Sequence, residues 1–113
     1  MSLKDFYDYH IQLLAEGDVD KLVEHDYHVD AEMILLVQQD PIYIKGQTQL
    51  KEQLGAYMKY VYRGFTSTDK FAQTDDSLFF EATIETANGP SKVFDALYFK
   101  DGKIFRHYSG LKG

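Results

Sequence analysis

The hydrophobic repeat changes once along the chain. Through residue 62 its dominant period is helical, and from Gly64 onward apolar residues fall at every second position. Helices first and alternating strands afterward predict an α+β domain in which helices cover one face of a curved, mixed or antiparallel sheet. The 113 residues, 1–113, are read as one domain.

The first segment carries Leu3, Phe6, Tyr7, His10, Leu13, Leu14 and Gly17 on one stripe, with Ser2 placed to cap it and Gly17 to end it. A short second helix follows, capped by Asp18 or Asp20, with Leu22, Val23 and Tyr27 as its apolar contacts. AEMILLVQQ reads as a strand covered on both faces, Asp40-Pro41 as a turn and IYIK as the returning strand. Gly46 opens a third helix, QTQLKEQLGAYMKYVY, whose internal Gly55 marks close packing, since glycine there costs about 1 kcal/mol against alanine.

FTSTDKFAQT, LFFEATIET, SKVFDALYFK and KIFRHYSG then form a meander of four strands. Asn88-Gly89 predicts a type I′ hairpin pairing Thr86 with Ser91, Glu85 with Lys92, Ala82 with Asp95 and Phe80 with Leu97. The last turn has two readings. A two-residue Asp101-Gly102 loop pairs Asp95 with Tyr108, and a three-residue Lys100-Asp101-Gly102 loop pairs Asp95 with His107 and Leu97 with Phe105; the second is preferred.

Asp95 shares its face with Val93, Leu97 and Phe99. A carboxylate among apolar neighbours must be neutral, paired or hydrogen-bonded, because burying a lone charge is prohibitive. With His107 opposite, Asp95 orients the ring and the free nitrogen acts as acid or base, or else the pair only organises the sheet. His10, on the apolar stripe of the first helix, is a candidate donor to a carbonyl oxygen, or a core histidine satisfied by its surroundings. Tyr7, Leu14, Met33, Leu35, Val37, Leu54, Met58, Phe80 and Val93 are the expected pocket lining, or plain core.

Several function classes are excluded. A net charge of −6 without a lysine or arginine run argues against nucleic acid and anionic membranes. Without cysteine there is no disulfide, thiol nucleophile or cysteine-based zinc site. His25 and His28 offer only two ligands, and no metal is assigned. No cofactor is expected. MSLKDFYDYH lacks the basic and apolar regions of a signal peptide, so a cytoplasmic protein is expected.

AEGDVDKLVEHDYHVDAEM, IKGQTQLKEQL and FDALYFKDGKIFRHYSGL, in that order and spacing, resemble the NTF2-like superfamily, the cone-shaped α+β fold of SnoaL-like cyclases, ketosteroid isomerases and scytalone dehydratases. The resemblance spans nearly the whole chain. It implies a deep pocket between the concave sheet face and the first and third helices. It places Asp95 where steroid-isomerase-like members hold a protonated aspartic acid in an oxyanion hole. His10 stands where they carry the oxyanion tyrosine, Leu54 where they carry its supporting tyrosine, and Leu35 where they carry the carboxylate base. With two of those roles missing, isomerisation by that mechanism is not expected.

Three functions fit these residues. One is a cofactor-independent acid–base enzyme of isomerase, dehydratase or cyclase type acting on a small apolar molecule through Asp95, His107 and His10. The second is a non-catalytic binder of a hydrophobic ligand, and the third a homodimeric interaction domain. Under any of them, Phe94, Ala96, Tyr98, Ile104 and Tyr108 are expected on an outer sheet face apolar enough to form a homodimer.

Overall fold

A computed structural model describes residues 2–112. Ser2 caps α1 (Leu3–Glu16) by accepting the Asp5 N–H at 3.1 Å, and Gly17 ends it at φ 76°. Asp18 caps α2 (Val19–Asp26) through the Lys21 N–H. The chain then extends directly into β1 (Tyr27–Leu36), turns, and returns as β2 (Ile42–Lys45). Gly46 opens α3 (Gly46–Tyr60) at φ 80°, and Gln49 reaches back to accept the Lys45 N–H. Then come β3 (Tyr62–Gln73), β4 (Ser77–Thr86), β5 (Gly89–Lys100) and β6 (Lys103–Leu111). Tyr27 and Tyr62, expected on helices, therefore begin strands.

The six strands form one sheet in the order β2-β1-β6-β5-β4-β3, antiparallel except where β1 runs parallel to β6. The three helices lie on one side, as the α+β reading requires. Leu13, Leu22, Val23, Tyr27, Ala31, Leu50 and Ile104 are fully buried between the layers. Burying each large aliphatic side chain contributes about 1.5–3 kcal/mol.

Both predicted hairpin registers are corrected. Thr86 pairs with Gly89 rather than Ser91, so Phe80, not Ala82, faces Asp95, and Leu78 faces Leu97. A type I′ turn needs positive φ at both central residues, and only Gly89, at φ 106°, is left-handed here. The turn closes instead on Ala87-Asn88: the Thr86 hydroxyl accepts the Asn88 N–H and donates to the Gly89 carbonyl. The shift is two residues, so every side chain keeps its face.

The β5–β6 turn is the two-residue Asp101-Gly102 loop of the first reading, not the preferred three-residue loop, but the pairing beyond it differs from both. Asp101 (φ 54°) and Gly102 (φ 77°) make a two-residue turn with both residues left-handed, pairing Phe99 with Ile104. Phe105 is then left over, and the register resumes with Tyr98 opposite Arg106, Leu97 opposite His107 and Asp95 opposite Ser109. This one-residue bulge lets Ile104 and His107 both point inward. Ile104, expected on the outer face, is in the core.

That outer face carries an apolar row across the sheet. Tyr43, Ile34, Tyr108, Ala96, Phe79 and Ala72 are successive cross-strand partners from β2 to β3. A neighbouring row places Glu32 between Lys45 and Arg106, with Arg106 Nη2 2.9 Å from a Glu32 oxygen. Phe94 lies over its partner Gly110, where a Cβ would fall 2.4 Å from the ring.

Gly55 packs on α2, as its sequence context implies, but a Cβ there would meet only Val19 Cγ1, at 3.7 Å, an ordinary contact. Gly55→Ala is therefore expected to raise stability by about 0.5–1 kcal/mol, read as a higher urea midpoint at unchanged m-value.

Candidate functional site

Between the helices and the inner sheet face lies a cavity of about 340 Å³. Its lining is mostly apolar and includes Leu14, Met33, Leu35, Val37, Leu54, Phe80 and Val93. Tyr7 and Met58 are not part of it. Tyr7 is fixed in the core between Phe71 and Phe80, with its hydroxyl 2.6 Å from the Thr68 hydroxyl. Met58 packs against the core cluster instead.

Two buried carboxylates shape the polar part, and neither is paired with lysine or arginine. Asp95 Oδ1 lies 2.6 Å from His107 Nε2, and His107 Nδ1 lies 2.8 Å from the Tyr27 hydroxyl. Complete burial, reinforced by the charges of Asp95 and Asp26, raises the Tyr27 phenol well above its ordinary pKa. Tyr27 thus keeps its proton. The strands hold this chain together: β1 carries Tyr27, β6 carries His107, and β5 carries Asp95.

His107 is therefore occupied at both nitrogens, and the free ring nitrogen expected of it does not exist. Nor is His107 directly opposite Asp95; it reaches it diagonally across the bulged register. Asp95 holds the ring through Oδ1. Its second oxygen, Oδ2, has no partner among the described residues.

The second carboxylate is Asp26, at the last position of α2 and fully buried. It accepts from two imidazoles: His10 Nδ1 at 2.7 Å on Oδ2, and His25 Nδ1 at 2.6 Å on Oδ1. Removing an ion of this size from water costs several kcal/mol, which two charge-assisted hydrogen bonds offset in part. Bound at Nδ1, His10 keeps Nε2 free on the cavity wall. A ring oriented by a carboxylate, with its other nitrogen open, is the arrangement of a histidine acid or base.

Asp26, Tyr27 and Tyr57 were not among the sequence candidates. Asp26 is three and four residues from Val23 and Leu22, on the same buried stripe, so its burial was readable by the logic that singles out Asp95. Tyr57, on α3, lines the cavity; burial first, then the charge of Asp95 and the neighbouring Tyr62, push its phenol up as well. His25 is half-exposed, and His28 Nδ1 accepts the Asp30 N–H. Among the described residues no group of three metal-ligating side chains converges.

No protein-family model matches the sequence, and none of the curated proteins does. Solved structures match along almost the entire chain. An NTF2-like protein of unknown function from Burkholderia xenovorans superposes with TM-score 0.77 at 23% identity, covering 96% of this chain and 81% of that one. The chain has the NTF2-like fold. Among other structures with this fold, a proposed polyketide cyclase from Sinorhizobium meliloti matches at TM-score 0.76 and 18% identity, over 93% of each chain. The epoxide hydrolase/cyclase-like enzyme SalBIII, which acts in pyran ring formation in salinomycin, matches at TM-score 0.79 and 16% identity, over 96% of this chain and 89% of its own. No helix of the described residues is long and apolar enough to cross a membrane.

The raised tyrosines give this NTF2-like chain an alkaline limit. Unfolded phenols ionise near pH 10.0 while buried Tyr27 and Tyr57 hold their protons, so above that pH the native state binds more protons. Their stabilising contribution is complete below pH 10 and lost as pH rises, at up to about 1.4 kcal/mol per pH unit for each. Urea titrations between pH 9 and about pH 11 should show this fall, with Tyr27→Phe reducing its slope.

Proposed function

We propose that this chain is a cofactor-independent acid–base catalyst acting on a small, uncharged, largely apolar molecule. The observation that carries the proposal is a pair of unpartnered atoms on residues lining the same cavity, Asp95 Oδ2 from the sheet and His10 Nε2 from α1, each on a side chain fixed through its other atom by buried partners. Asp95 Oδ2 removes a proton from carbon or oxygen, and protonated His10 Nε2 delivers one to a carbonyl or departing hydroxyl. His107 with Tyr27, and Asp26 with His25, position the two reacting groups. Dehydration, isomerisation and cyclisation all consist of such transfers. The polyketide cyclase and cyclase-like enzymes on this fold support the reading at the level of reaction class.

The test is hydrogen–deuterium exchange next to the carbonyl of 2-tetralone in D2O, followed by proton NMR. The native chain should accelerate exchange over buffer. Asp95→Asn and His10→Gln, with circular dichroism unchanged, should each slow it by roughly 10²–10⁴-fold. Exchange at the buffer rate, with ketone bound, would leave a ligand-binding protein rather than an enzyme.

We also propose self-association through the outer face. Tyr43, Tyr98 and Tyr108 stand 68%, 44% and 42% exposed there. The row beside the apolar one carries both charge signs, so two copies can meet without opposing like charges. Light scattering at micromolar concentration should give twice the chain mass, and Tyr108→Glu should halve it.

A further inference from the structure

We propose that the Tyr57 hydroxyl orients the ligand, and that the ligand is an uncharged molecule bearing a carbonyl oxygen on an apolar frame. Four tyrosines line or flank the interior, and three are accounted for. The Tyr7 hydroxyl is bound to Thr68, and that of Tyr27 to His107. The Tyr62 hydroxyl is sealed from solvent with no partner. Tyr57 alone combines a place on the cavity wall, an accessible hydroxyl and no partner among the described residues.

This phenol has a proton to donate. Burial and the nearby Asp95 charge keep it protonated, so it is a donor without an acceptor. A carbonyl oxygen in the cavity supplies that acceptor, and the bond gains strength where the surroundings are apolar. Negative charge on the ligand is disfavoured by the same lining. Among the described residues no lysine or arginine lines the cavity, and Asp95, with a carboxylate oxygen unpartnered, does. A carboxylate or phosphate entering there would lose its hydration, gain no cation and oppose Asp95. The inference deepens the acid–base reading and rests on it for the cavity's being a substrate site: a carbonyl held by Tyr57 has its adjacent carbon acidified toward Asp95.

The experiment compares 2-tetralone, its hydrocarbon isostere tetralin, and 1,2,3,4-tetrahydro-2-naphthoate by isothermal titration calorimetry on native protein, Tyr57→Phe and Asp95→Asn. Tyr57→Phe should weaken the ketone roughly tenfold and leave tetralin unchanged, a difference of one hydrogen bond. The native protein should bind the carboxylate at least about tenfold more weakly than the ketone. If Tyr57→Phe proves unstable, the native protein labelled with ¹³Cζ-tyrosine decides: the Tyr57 resonance must move with ketone and not with tetralin. Equal losses for ketone and tetralin, a carboxylate bound as well as the ketone, an unmoved resonance, or native protein that takes no ketone would each overturn the proposal. The ketone-specific loss should persist in the Asp95→Asn background. Exchange activity lost with that difference intact removes the acid–base reading alone; exchange intact with no difference removes the Tyr57 assignment alone.

Discussion

Two carboxylates enter the interior without a lysine or arginine to meet them, and the arrangement of the cavity follows from how they are satisfied. Imidazoles take the place of cations. An imidazole has two nitrogens, so Asp95 is joined through His107 to Tyr27, while Asp26 holds His10 on one oxygen and His25 on the other. A lysine partner would have ended the chain at its ammonium. His107 extends it, tying β5, β6 and β1 together, and the His10–Asp26 bond ties α1 to α2.

The two systems present opposite chemistry to the same space. In one, the ring is saturated and the carboxylate keeps a free oxygen; in the other, the carboxylate is saturated and the ring keeps a free nitrogen. Tyr27 stands between them, its ring centroid 6.2 Å from that of His10 and 6.0 Å from that of His107. Pairs of titratable groups held in different surroundings are how one site supplies an acid and a base at a single pH.

What could be read from the sequence was whatever depends on a few adjacent residues. Ser2, Gly17 and Asp18 mark helix ends because capping is settled within one turn. The inward face of Asp95 was legible because strand alternation is local, and it survived a hairpin register wrong by two residues. Register itself was not legible. Asn88-Gly89 carries a type I′ signature, yet the Thr86 hydroxyl and the Val61 carbonyl, which binds the Ala87 N–H, favour a different turn. Tyr7 shows the limit for the pocket: a stripe says which side of a helix is covered, not whether protein or empty space covers it. His107 shows the limit for the chemistry, since its second partner, Tyr27, is 80 residues away.

The unpaired Phe105 has a consequence for comparing this chain with distant relatives. Strand β6 changes parity at that residue, so positions before and after it obey opposite inside–outside rules. A relative lacking the extra residue, aligned without a gap from the shared turn onward, would have its inward side chain matched to Arg106 instead of His107. Superposed backbones, rather than matched letters, are the means of deciding which residue a relative sets against its own buried acid.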